Sequence, residues 1–209
     1  MEGKSIRLGS HNSLTYLCPK SLWMRPFYFM ARCQRVDYRE QFVKYGVRLF
    51  DLRVWFDNAL NLQVCHGQMV FDATSSYQRE FLEYLNSKNG CYVRVILEED
   101  TIRKTDRMLD KKECAFMEFC KKIEEEYPFI HFFGGNRKCD WKVLYDFGTK
   151  EPMLDDKYSS TTSLFRSKNR WLSVLDDLFP WLYARLHNRE NIAIGTEKDW
   201  LFIDFVDIR

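Results

Sequence analysis

Apolar and polar residues alternate most sharply over residues 46–56. There Phe50, Leu52 and Val54 fall on one face of a strand, and Asp51 and Arg53 fall on the other. Charges seldom enter a core unless they pair or serve a site, so this stretch predicts a strand with one dry face and one functional face. Asp57-Asn58 predicts a turn, followed by a second strand over 62–66. Further strands are predicted at 6–10, 92–97, 129–133, 141–145, 153–154, 191–194 and 200–206, with Gly134-Gly135 as a turn. Helical periodicity predicts residues 33–45, ending at Gly46 in the left-handed position that follows a helix. A second helix spans 74–88, with Thr74 or Ser75 as N-cap and Phe81, Leu82 and Leu85 turned inward. A third spans 110–126, with Phe116, Phe119, Cys120 and Ile123 on its buried face. A fourth lies near 168–186, where Pro180 should kink or divide it. The crowded apolar set Leu22, Trp23, Met24, Phe27, Tyr28, Phe29 and Met30 predicts a core segment, with a lipid-facing rim as the competing reading.

Strands alternating with helices at this rhythm predict an α/β fold. Polar residues recurring at the C-terminal ends of the strands favour a closed, compact, TIM-like (β/α) barrel with mostly parallel strands, one domain over residues 1–209. Such a barrel builds its site at that end, from several strands. His11, Arg53, His66, Glu98, Asp156 and Asp204 all fall at or near predicted strand ends.

Composition narrows the function. A net charge of +2 is too mild to argue for nucleic acid. No apolar run approaches the ~20 residues of a membrane span. The N-terminus has no signal-like pattern, and the seven cysteines include no Cys-x-x-Cys pair, which predicts reduced thiols in a chain that is cytoplasmic or peripheral to a membrane. Zinc is disfavoured because no His or Cys pair has the usual short ligand spacing.

Two histidines with an arginine between them suit phosphoryl transfer by general acid–base catalysis. One imidazole removes a proton from the attacking oxygen, the other supplies one to the leaving oxygen, and the guanidinium offsets charge on the phosphate. A buried carboxylate beside the base would fix its tautomer. Asp204, set among Leu201, Phe202, Ile203, Phe205 and Val206, is a carboxylate that needs a partner. His131 and His187 neighbour no site motif, and Cys65 should face away from its neighbour His66.

Taken together, Ser10-His11-Asn12-Ser13, residues 46–53 and Cys65-His66-Gly67 resemble the X-domain of phosphatidylinositol-specific phospholipases C. Gln34-x-x-Asp37-x-x-x-Gln41-x-x-x-x-Gly46 is similar to that family's helix before the second strand, Tyr92 to Glu98 to its fourth strand, Asp156-Lys157-Tyr158 to an inositol-contacting motif, and Trp200-x-x-x-Asp204-Phe205 to its last strand. The resemblance implies a distorted barrel that cleaves phosphatidylinositol to diacylglycerol and an inositol cyclic phosphate at a membrane surface. It implies that His11 is the general base, oriented by Asp204, and that His66 is the general acid. Arg53 would bind the phosphate, and Asp51 would support the network at the attacking hydroxyl. Asp156 and Tyr158 would hold the inositol ring. Asn12 and Glu98 match polar positions of the calcium-dependent members, but Arg53 stands where those enzymes place an acidic ligand and would repel a divalent cation. No cofactor is therefore expected, with Asn12 and Glu98 as substrate-side polar residues. Two alternatives are a calcium-dependent lipid phosphodiesterase and a catalytically weak phosphoinositide- or membrane-binding module. The chain is also short for the bacterial family, which implies a missing or reduced strand–helix unit after residue 158.

Overall fold

The computed structural model describes residues 7–98, 109–136, 143–146, 152–154, 158–160, 178–194 and 200–208. Its strands are β1 (Arg7–Ser10), β2 (Leu49–Phe56), β3 (Leu62–His66), β4 (Met69–Val70), β5 (Cys91–Leu97), β6 (Ile130–Asn136), β7 (Val143–Asp146), β8 (Pro152–Leu154), β9 (Tyr158–Ser160) and β10 (Trp200–Ile203). Its α-helices are α1 (Tyr28–Ala31), α2 (Tyr38–Val43), α3 (Ser75–Asn86), α4 (Leu109–Glu126) and α5 (Pro180–Ile194), with a 3-10 helix at Leu22–Phe27. The sheet runs β8-β7-β6-β5-β2-β1-β10-β9, with the β3–β4 hairpin hung on β2. The run from β6 to β9 through β5, β2, β1 and β10 is parallel, and β7 and β8 are antiparallel additions. Among the described residues no pairing joins β8 to β9, so the expected closed barrel is an open, distorted one.

Alternation in β2 divides the molecule as the sequence predicts. Phe50, Leu52 and Val54 join Val93, Val95, Leu97 and Phe132 in the layer between sheet and helices, where Phe81, Leu82 and Leu85 of α3 and Phe116, Cys120 and Ile123 of α4 complete it. On the inner face, Leu49, Ile96, Phe133 and Phe202 form a second, smaller plug. Gly9 makes room for that plug, since a Cβ there would lie 3.1 Å from the Phe202 ring and 3.3 Å from Leu49. Above it the inner face turns polar, with Asp51, Arg53 and Arg94 all buried.

Several expectations are corrected. Residues 33–45 are helical only over Tyr38–Val43, where Asp37 caps the helix by accepting from Glu40 N–H at 2.8 Å. Cys33 and Gln34 remain extended because their N–H groups donate to Thr15 Oγ1. Gly134-Gly135 is not a turn but part of β6. Residues 191–194 end α5 rather than form a strand, and Pro180 opens that helix, a position where its missing N–H costs nothing. The last strand stops at Ile203, releasing Asp204 into a turn. The core reading of residues 22–30 fails for Leu22, Trp23, Phe27 and Phe29, which are exposed, Trp23 by 88%.

Gly134 is the most constrained backbone position described. Its φ is +144°, and a Cβ would lie 1.8 Å from the Val95 carbonyl oxygen across the β5–β6 pairing. Gly134→Ala should therefore destabilise the fold by about 3 kcal/mol, the upper range for overpacking. Urea unfolding would show it as a lower midpoint, and an unchanged midpoint would refute the close approach.

Candidate active site

Parallel pairing places the first two site residues side by side. Ser10 of β1 is in register with Ile203 of β10, so the next residue of each strand, His11 and Asp204, emerges at the same height. His11 N–H donates to the Ile203 carbonyl at 3.1 Å, and His11 Nδ1 lies 2.8 Å from Asp204 Oδ1. Asn12 follows with φ +46°, a left-handed conformation that asparagine tolerates, and its N–H donates to Asp51 Oδ2 at 3.1 Å. Gln34 pins this corner from below. Its amide donates to the carbonyls of His11 and Ile203, and its Oε1 accepts from Val206 N–H. Asn188 of α5 fixes the other side by donating to the carbonyls of Asp204 and Ile208.

Strand β2 contributes the charged floor. Among the described residues, Arg53 spreads its guanidinium over three partners: Nε to Asp51 Oδ2 at 3.2 Å, Nη1 to Glu98 Oε1 at 2.6 Å and Nη2 to His11 Nε2 at 2.7 Å. Asp51 Oδ1 accepts from Arg94 Nε at 2.7 Å, and Glu98 Oε2 accepts from Gly67 N–H at 2.8 Å. Burial alone would raise the Asp51 carboxyl, but Arg94 and Arg53 outweigh it and hold the group well below the usual carboxylate range. Among the described residues, three carboxylates and two guanidiniums make up the cluster.

The hydrogen bonds fix the tautomer of His11. An arginine offers only donors, so His11 Nε2 accepts from Arg53 and the ring proton sits on Nδ1, donated to Asp204. Nε2 therefore carries the ring's lone pair, held by Arg53 Nη2. His66, the last residue of β3, meets His11 edge to face with ring centroids 6.1 Å apart. Its Nδ1 donates to the Ala31 carbonyl at 2.9 Å, leaving Nε2 as its titrating atom. Burial, then the nearby Arg53 and His11, pull the His66 pKa down to about 4.

The structure thus brings together His11, Asn12, Asp51, Arg53, His66, Glu98 and Asp204. Asp156 lies outside the described residues, and Tyr158 opens β9 beside β10. Cys65 is buried, with its thiol pushed well up by burial, then by Glu98.

Sequence reasoning missed two groups here. Arg94 stacks over the Phe202 ring at 3.9 Å while holding Asp51, and its signal was a lone charge between Val93 and Val95 on a buried strand. Cys33 has no such signal. Its Sγ lies 3.7 Å from His66 Nδ1 and 3.6 Å from Asn12 Nδ2, and burial, then Asp204, raise its thiol well above the ordinary value. Among the described residues, His11, Cys33 and Asp204 are the group able to hold a metal ion, with ligand atoms all within 4.8 Å of one another.

No protein-family model matches the sequence, and no curated protein sequence matches it either. Solved structures do. The phosphatidylinositol-specific phospholipase C of Listeria monocytogenes aligns over 97% of this chain and 89% of its own, at 14% identity and a TM-score of 0.57. A mutant of the Staphylococcus aureus phosphatidylinositol-specific phospholipase C aligns over 97% and 86%, at 14% identity and a TM-score of 0.60. A second S. aureus structure of that enzyme aligns over 98% and 87%, at 15% identity and a TM-score of 0.57. At such identities the likeness carries the architecture, and this chain has the mixed α/β, barrel-like fold of the bacterial phosphatidylinositol-specific phospholipases C.

Proposed function

We propose that this chain is a phosphodiesterase that cleaves phosphatidylinositol to diacylglycerol and an inositol cyclic phosphate. The observation that carries the reading is the pairing of two histidines of different character across one guanidinium. His11 Nε2 offers a lone pair and is backed by Asp204, as a base for the inositol 2-hydroxyl requires. His66 Nε2, on the facing ring, would protonate the diacylglycerol oxygen as it leaves. Arg53 Nη2, released from His11 once the phosphate enters, would meet the charge on the non-bridging oxygens. Asp51 and Glu98 hold that guanidinium in place, and Asn12 N–H ties Asp51 to the base.

A metal-free mechanism is supported by how the carboxylates are engaged. Both oxygens of Asp51 and both of Glu98 already accept from cations or N–H groups, so a hard cation such as calcium would have to displace them. The decisive assay is phosphorus NMR of phosphatidylinositol vesicles incubated with the protein, with and without chelator. A cyclic phosphate resonance in both samples is expected. Its loss under chelator would replace this mechanism with a calcium one, and vesicle binding without any product would leave only a lipid-binding module.

A lipid surface suits the exposed aromatics. Trp23 and Phe27 project from the 3-10 helix and Phe29 from α1; Phe29 stacks on Phe179 with centroids 5.4 Å apart, and Trp181 and Leu182 continue the patch on α5. Lys20, Arg25 and Arg32 accompany it, and no acidic residue occurs between Glu2 and Asp37. That composition fits anionic headgroups. The Ala31 carbonyl at the end of α1 also holds His66, which puts the patch at the rim of the site. Trp23→Ala and Trp181→Ala should each weaken binding to phosphatidylinositol vesicles by about tenfold, the loss expected for one large apolar side chain. Hydrolysis of a water-soluble diester should be unaffected. Equal loss on both substrates would place these tryptophans in the catalytic fold instead.

A further inference from the structure

The thiol of Cys33 is a strong metal ligand that the proposed reaction does not use, and it lies among groups that the reaction does use. From the juxtaposition of its Sγ with a ring nitrogen of His11 and a carboxylate oxygen of Asp204, we infer that the site also takes a thiophilic divalent cation such as zinc, which switches the catalytic base off. The three ligand atoms come from the end of β1, the extended segment after α1 and the end of β10, and lie within 4.8 Å of one another. Sequence spacing does not reveal such a set, because 22 residues separate His11 from Cys33 and 171 separate Cys33 from Asp204. One sulfur, one imidazole nitrogen and one carboxylate oxygen are a borderline-soft donor set. It suits zinc and leaves a fourth position for water. Asn12 Oδ1 is buried without a hydrogen-bond partner on the residue whose amide touches both Cys33 Sγ and His11 Nε2, and a metal-bound water would have a hydrogen to give it.

Binding exchanges protons for the metal. The Cys33 thiol proton leaves to solvent as the Zn–S bond forms. The His11 ring stays neutral: zinc either takes the Nε2 lone pair directly, with the Nδ1 proton kept, or replaces the Nδ1 proton, which moves to Nε2. Nε2 then can neither accept from Arg53 nor take a proton from substrate. Arg53 retains its contacts to Glu98 and Asp51, so the cluster loses one hydrogen bond rather than its cation. Calcium, which prefers oxygen ligands, would not make this exchange.

Cobalt(II) tests the site with a signal independent of turnover. Titration of the reduced protein should produce a thiolate-to-cobalt charge-transfer band, saturating at one metal per chain and displaced by zinc. Cys33→Ser should remove the band and weaken zinc binding by at least about 100-fold, since even an outer-shell partner is worth 10–100-fold. Replacing the thiols exposed among the described residues, Cys18→Ser with Cys114→Ser, should leave the band intact, which excludes them as its source, and a wild-type urea midpoint for Cys33→Ser should exclude a folding defect in that variant. If cobalt in excess gives no thiolate band, or if the band survives in Cys33→Ser, the inference is overturned. Should the protein cleave phosphatidylinositol, zinc should inhibit it, chelator should restore it, and Cys33→Ser should resist the metal. A protein that binds cobalt through Cys33 but turns over no inositol lipid would retain this site and lose the proposed function.

Discussion

Replacing either histidine should lower kcat by about a hundred- to ten-thousand-fold, the range assigned to a positioned acid or base. The two losses should differ in their chemistry. His11→Ala removes the lone pair that Asp204 and Arg53 orient, so it should be equally damaging whatever leaves the phosphorus. His66→Ala removes a proton donor, and a substrate with a nitrophenolate leaving group, which needs no proton, should recover most of the lost rate. Asp204→Asn should fall between wild type and His11→Ala, because the Nδ1 partner is kept while its charge is lost. Steady-state rates on the two substrates check all three. If the good leaving group rescues both histidine variants, or neither, the assignment of base and acid is wrong.

The low pKa of His66 bears on the same test. In the free protein this ring is neutral near pH 7, because burial, Arg53 and His11 pull its pKa to about 4. An acid must carry its proton, and the phosphodiester anion supplies the reason to gain one. It brings a negative charge up to the ring and engages Arg53, one of the groups that hold the free value down. The pKa that ends activity on the alkaline side should therefore be higher in kcat, which reports the complex, than in kcat/KM, which reports the free protein. Folding responds in the opposite sense to binding. A histidine depressed in the native state contributes stability that is complete above about pH 6.5, the unfolded value, and is lost as pH falls toward 4.

Most of the charged floor was legible because strands have a period of two. Asp51 and Arg53 share a face by arithmetic, and their neighbours Phe50, Leu52 and Val54 identify the dry side. The pairing of His11 with Asp204 needed strand register as well, which no local pattern contains. Where side chains override local preference, the reading failed. Residues 33–37 fit a helical pattern, yet Thr15 and the long-range bonds of Gln34 hold Cys33 and Gln34 out of the helix, and that placement carries Cys33 into the site. The four apolar-rich residues at 191–194 suit a strand or a helix turn equally, and only their continuity with Pro180 decides for α5. Apolar content at 22–30 likewise does not distinguish a core from an exposed rim, since large hydrophobic residues occur in both.

Arg53 is where catalysis and stability meet, and two substitutions should separate them. Arg53→Ala removes one cation from two buried carboxylates; among the described residues Glu98 keeps Gly67 N–H, and Asp51 keeps Arg94 and Asn12 N–H. Breaking a buried pair this way costs about 3–5 kcal/mol, so urea unfolding should shift far below wild type. Turnover should fall by a hundred-fold or more, as for loss of one oxyanion donor, about 3 kcal/mol in the barrier. Arg53→Lys keeps the charge but not the fork. One ammonium cannot reach Asp51, Glu98 and the phosphate from the directions that Nε, Nη1 and Nη2 now occupy. Pulled toward Glu98, it should restore a large part of the stability and little of the activity. A lysine variant with near wild-type turnover would mean that a point charge suffices at this position, and that the three-way guanidinium is a structural clamp rather than the phosphate ligand.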